Sequence, residues 1–159
     1  MGRAREIAHY VNYNKHCGVY PSGTRRRGVN FGDTDCKVFI SGPMTGIKNY
    51  NRKMFDKAET YLYSFHVGIF NPANLTCIDE HWTHEQVMAI DISALDSCTH
   101  ILHLPGWERS KGAFQEAVYA KDHCIKDLYF VPIGGDGEDA EYIVEDPNSD
   151  YFDHFHSDI

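Results

Sequence analysis

The segment Ser110-Lys111-Gly112-Ala113-Phe114-Gln115-Glu116 puts a hydroxyl, a cation, a glycine and a carboxylate within two helical turns of one another. A carboxylate beside a dry crevice can stabilise an oxocarbenium-like sugar cation or attack it as a nucleophile. Glu116 is expected in the first turns of a helix, near the positive end of its dipole, a position that favours the ionised form. Gly112 lets a ligand approach the backbone, and Ser110 offers a hydroxyl together with the amides of the helix start. Arg109 and Lys111 supply charge suited to a phosphate. Trp107 offers a flat face for a base, or serves only to anchor the loop.

A second carboxylate, Asp91, falls at helical spacing among Val87, Ile90, Ala94 and Leu95, on the side that should be buried. Burying a carboxylate without partners is costly, so Asp91 is expected either to bond a loop backbone or to project into a ligand crevice. The loop Ser41-Gly42-Pro43-Met44-Thr45-Gly46 has two glycines and two hydroxyls, so its amides could approach an anion or a sugar; a plain strand-to-helix turn is the equal alternative. It has neither the Gly-Lys-Ser/Thr ending of a phosphate loop nor the spacing of a dinucleotide fingerprint. The pairs His81-x-x-His84 and His100-x-x-His103 lack an accompanying cysteine pair, so no metal is expected. Five dispersed cysteines, with no C-x-x-C, read as reduced thiols.

These residues need a scaffold, and the hydrophobic pattern provides one. Lys37–Ser41, Val67–Phe70, His100–Leu104 and Leu128–Val131 read as short buried strands, each closed by Gly, Pro or Asn-Pro. Between them, 49–66 carries Met54, Ala58, Tyr61, Leu62 and Phe65 on one helical face. A second helix follows the Thr83/Gln86 capping box, and a third runs from Gly112 to about Cys124. Alternation of this kind predicts an α/β fold: a doubly wound, mainly parallel sheet of four to five strands with helices on both faces, flavodoxin- or Rossmann-like. Ligands in such sheets sit at the carboxyl ends of the strands, where Ser41–Asn49, Asn71–Thr83 and Pro105–Lys111 lie.

The expected organisation is an irregular basic extension over 1–35, the α/β domain over 36–133 and an acidic tail over 134–159. Residues 1–35 hold six Lys/Arg against three acids, whereas 134–159 hold nine acids and no Lys or Arg. Either both ends are solvated flanks or the tail docks on the basic arm. A net charge of −8 argues against general nucleic-acid binding, and no apolar run is long enough for a membrane span. With no apolar stretch behind the basic N-terminus, a cytoplasmic location is expected.

Taken in order, Ile40-Ser41-Gly42-Pro43-Met44-Thr45-Gly46, Asn71-Pro72-Ala73, Asp91-Ile92 with Asp96, Leu104-Pro105-Gly106-Trp107-Glu108 and Gly112-Ala113 with Glu116 resemble the nucleoside 2-deoxyribosyltransferase-like proteins, closest to a small branch common in phages and bacteria. The resemblance covers roughly residues 37 to 131. It implies that a glutamate attacks the anomeric carbon of a 2-deoxyribonucleoside or its 5′-monophosphate, with the sugar passing to water or another base. Glu116 matches that nucleophile, and Asp91 the aspartate that contacts the sugar and assists protonation of the leaving base. Ser110 matches a phosphate-binding serine, and Ser41 and Gly42 the first-loop position, with Met44, Trp107, Arg109 and Gly112 completing the expected substrate site. No cofactor is implied; a small nucleoside or nucleotide is the expected partner, in a homo-oligomer. Several relatives carry an aromatic residue just after the first strand that orients the nucleophile; this chain lacks it, and Tyr50 is the nearest substitute. A non-catalytic nucleotide sensor and a glycohydrolase of an NAD-like dinucleotide are the alternative readings.

Overall fold

The structure, a computed structural model, describes residues 35–75 and 81–148, together with Arg26, Arg27, Val29, Phe31, Phe152 and Asp153. Five strands form one sheet: β1 (Lys37–Ser41), β2 (Gly68–Phe70), β3 (His100–His103), β4 (Lys126–Gly134) and β5 (Glu141–Glu145). Three helices alternate with them: α1 (Arg52–Tyr63), α2 (His84–Asp96) and α3 (Lys111–Asp122). The strand order is β2-β1-β3-β4-β5, parallel throughout except for the β4–β5 pair. This is the 2-1-3-4-5 order of flavodoxin-like doubly wound sheets with the last strand reversed, and the expected α/β fold is present.

Strand periodicity decides which face each residue serves. Val38 and Ile40 point to the side covered by Phe55, Ala58, Tyr61 and Leu62 of α1. Phe39 points the other way, into a second core with Leu95, Ile101 and Ala120 beneath α2 and α3. The two cores are the two faces of the sheet. Because the chain steps from β1 to β2 in one direction and from β2 to β3 in the other, right-handed crossovers put α1 opposite α2 and α3. Ser41, two residues after Phe39, therefore faces α3. Thr83 and Gln86 fix where α2 starts: Gln86 N donates to Thr83 Oγ1 at 3.1 Å and Thr83 N donates to Gln86 Oε1 at 2.8 Å.

Two expectations need correction. The first helix begins at Arg52 rather than Asn49, because Asn49, Tyr50 and Asn51 all have left-handed backbone angles, with φ of 53°, 54° and 62°. Asparagine tolerates that region and tyrosine does so poorly. Nor is the chain after residue 133 merely an acidic tail, for Glu141–Glu145 pairs antiparallel with β4 and buries Ile143 and Val144. The charged ends of β5 suit an edge strand, where glutamates discourage further pairing. Arg26–Arg27 and Phe152–Asp153 form a separate two-residue antiparallel pair, so backbone of the basic arm lies against backbone of the acidic end of the same chain. Most of the predicted N-terminal extension, Cys17, part of the Asn71–Thr83 loop with Cys77, and the last residues lie outside the described residues. Among those described, no helix is long and apolar enough to cross a membrane.

Candidate active site

Parallel strand order reverses between β1 and β3, and a crevice opens above that point because the helices on either side diverge. Three elements deliver side chains to it. Ser41 ends β1, Asp91 lies on the inner stripe of α2 that also carries His84, Met88 and Leu95, and Glu116 faces the sheet from the second turn of α3. Asp91 and Glu116 are 6% and 4% exposed, so both carboxyls are nearly sealed from bulk water. They lie within hydrogen-bonding reach of each other. Ser41 Oγ donates to Glu116 Oε1 at 2.8 Å. Asp91 Oδ1 is buried and receives no hydrogen bond from an amide or hydroxyl. Two carboxyls in such contact are stable only when they share a proton.

The electrostatics favour Glu116 as its holder. Burial, followed by the neighbouring Asp91 carboxylate, holds Glu116 well above the usual carboxylate range, against the opposing pull of the Ser41 hydrogen bond. Asp91 is raised to about 6, chiefly by burial, with the Glu116 hydrogen bond and attraction from His84 pulling it down. The pair therefore keeps a proton to higher pH than a free carboxyl would, and Glu116 is the more strongly raised of the two. The direction of this shift is opposite to the one expected from the helix dipole. The dipole of α3 acts over its first turn, and Glu116 lies beyond it, where desolvation and a like charge dominate.

The dyad forms the floor of a small cavity of about 80 Å³, with Gly42, Met44, His84, Ser110 and Gly112 around it. That cavity adjoins a cleft of about 780 Å³, to which Arg109, Ser110, Lys111, Gly112, Thr45 and Asn51 contribute. Ser110 caps α3, its Oγ accepting from Ala113 N at 3.3 Å, and its hydroxyl hydrogen remains available to a ligand oxygen. The amides of Lys111 and Gly112 belong to the first turn of α3, where backbone N–H groups have no acceptor within the helix. Together with Arg109 and Lys111 they make this end of the cleft the electropositive one.

Most of the residues singled out in the sequence thus meet at one place, with three exceptions. Trp107 lines neither cavity; its ring packs 4.5 Å from that of His103 and 6.5 Å from that of Tyr129, so it anchors the loop. Ser41 is fully buried and lines neither cavity, its hydroxyl being directed at Glu116 rather than at open space. Gly42 has a packing role as well, since a Cβ there would lie 2.7 Å from Leu104 Cβ. Tyr50 is 41% exposed and lines neither cavity, so it does not orient Glu116. Sequence reasoning overlooked His84 as a site residue. It borders both cavities, and its Nε2 is 2.9 Å from Gln115 Oε1, linking α2 to α3 above the dyad. Its position seven residues before Asp91, on the same helical stripe, was the available signal.

Residues 36–129 match the model of a family described as a domain of unknown function, DUF4406. The match spans more than half of the 159 residues, and the chain belongs to that family. No curated protein and no solved structure matches it.

Proposed function

We propose that this DUF4406 protein cleaves the N-glycosidic bond of a 2-deoxyribonucleoside or its 5′-monophosphate, with Glu116 as nucleophile and Asp91 as proton donor. The observation that carries the reading is the contact between two buried carboxyls at the floor of a cleft at the β1/β3 reversal. Carboxyls this close leave no space for an intervening water, which favours direct attack by a carboxylate over base-assisted attack by water. As substrate fills the small cavity, the shared proton moves from Glu116 to Asp91. Glu116 then forms a C–O bond to the anomeric carbon while the C–N bond breaks. The bonding pair leaves with the base, which takes the proton from Asp91. Water or a second base attacks the resulting ester at the same carbon, and Asp91 recovers the proton from that acceptor. Arg109, Lys111 and the first amides of α3 favour a 5′-monophosphate, and a homo-oligomer is the proposed assembly.

The test is to incubate the protein with each deoxynucleoside and deoxynucleoside 5′-monophosphate, with and without an acceptor base, and to follow released base. Release that Glu116→Ala abolishes is the expected result. Tight nucleotide binding with no release would instead identify a sensor, and release of nicotinamide from NAD in the same panel would identify a dinucleotide glycohydrolase.

A further inference from the structure

We infer that Ser41 is the positioning residue of this site: its hydroxyl fixes the Glu116 carboxylate for attack. The inference rests on the reading of Glu116 as the nucleophile. Three features of the fold support it. Ser41 ends a strand paired along its length, and its carbonyl accepts from Leu104 N at 2.8 Å, so the hydroxyl is held on rigid backbone. Strand alternation aims it at α3, where it donates to Glu116 Oε1 at 2.8 Å. At 0% exposure it cannot contact solvent, and it borders neither cavity, so a substrate-binding role does not compete.

The consequence is chemical as well as geometric. With Oε1 accepting from Ser41, the proton shared with Asp91 is best carried by the other oxygen, so its departure to Asp91 leaves a carboxylate already oriented. A hydrogen bond to the charged form favours that form. Ser41 thus raises the population of the arrangement that reacts, with the proton on Asp91 and the charge on Glu116. Substrate never touches Ser41, so its removal should act on the chemical step and leave binding alone.

The experiment compares Ser41→Ala and Ser41→Thr with the parent protein by two readouts. For base release from a deoxynucleoside 5′-monophosphate, Ser41→Ala should lower kcat roughly 10- to 100-fold, the range of a lost hydrogen bond to a charged group, with KM within about twofold. The alkaline limb of its pH profile should move upward, and Ser41→Thr, which keeps the hydroxyl, should recover most of kcat. The second readout needs no turnover. Carbon-13 NMR titration of the Glu116 side-chain carboxyl should show it retaining its proton to higher pH in Ser41→Ala than in the parent. An unmoved Glu116 titration overturns the inference whatever the activity, as does an unchanged kcat in an active parent. A shifted titration in a parent that releases no base upholds the link and removes the glycosidase reading instead.

Discussion

Two ionisable pairs occupy the same face of the sheet, one with both members buried and one joining a buried histidine to a partly exposed carboxylate, and they are built on opposite principles. Asp91 and Glu116 are like groups pressed together, short of donors, and open to a cavity. His103 and Asp127 are complementary: His103 Nε2 lies 2.8 Å from Asp127 Oδ1, and the imidazole packs against the rings of both Trp107 and Tyr129, with centroids 4.5 and 5.1 Å away. Burial shifts both sets, raising the two acids and lowering His103 despite its hydrogen bond to Asp127. A perturbed group is therefore not by itself a sign of chemistry. What separates the pairs is access, because a ligand can reach the carboxyl dyad whereas aromatic rings cover the histidine.

The comparison breaks first on activity. Asp91→Asn keeps the shape of the dyad but has no proton to give, so base release should fall roughly 100- to 10,000-fold. His103→Phe, which leaves the ring stack in place, should change the rate by less than about threefold. Comparable losses in both variants would erase the distinction.

Stability should divide the pairs with opposite signs of pH dependence. Asp91 has a folded-state value raised to about 6 from an ordinary 3.8, so its contribution to stability is fully present below about pH 4 and is lost as pH rises through 6. Asp91→Asn should therefore stabilise the protein at pH 8 by on the order of 1–3 kcal/mol, a gain that disappears at pH 4. His103 is lowered in the folded state, so its contribution is present at high pH and is lost as pH falls through the ordinary histidine range. His103→Phe, which also removes the hydrogen bond to Asp127, should accordingly cost less at pH 5 than at pH 8. Denaturant melts of the three proteins at these values check both signs.

Catalysis has its own pH signature. If the singly protonated dyad is the active form, the rate should decline below about pH 6, as Asp91 takes up a second proton, and again on the alkaline side as the shared proton is lost. A rate that climbs steadily with pH through 8 would mean that an ionised pair does the chemistry. The last expected effect concerns the scaffold rather than either pair. At Gly42→Ala the new Cβ meets Leu104, with no flexible side-chain end to yield, so the ends of β1 and β3 must separate. A cost of about 1–3 kcal/mol in a denaturant melt is expected.

The frame of this molecule was legible because its strands and helices announce themselves by period and punctuation. Val38-Phe39-Ile40 before Gly42-Pro43, and Thr83 before Gln86, are local signals that the tertiary structure keeps. β5 was not legible, since Tyr142-Ile143-Val144 is a brief apolar run inside a stretch dominated by acids, and only pairing with β4 makes it a strand. The site divides in the same way. Asp91 could be located from helical spacing, because a carboxylate on an apolar stripe is anomalous within its own segment. The protonation of Glu116 depends on Asp91, a residue of another helix, and on burial, neither of which a single helix discloses. Ser41 and Trp107 lie at predictable ends of strands, but which way each side chain turns is set by the register of neighbours far away in sequence.

The most direct test of the central claim is to look for the covalent bond itself. A reaction with a deoxynucleoside 5′-monophosphate is quenched in acid during turnover, digested and examined by mass spectrometry. The account predicts a deoxyribose phosphate attached as an ester to Glu116, absent from Glu116→Gln. Base release by the parent with no adduct on Glu116, and continued release by Glu116→Gln, would contradict it.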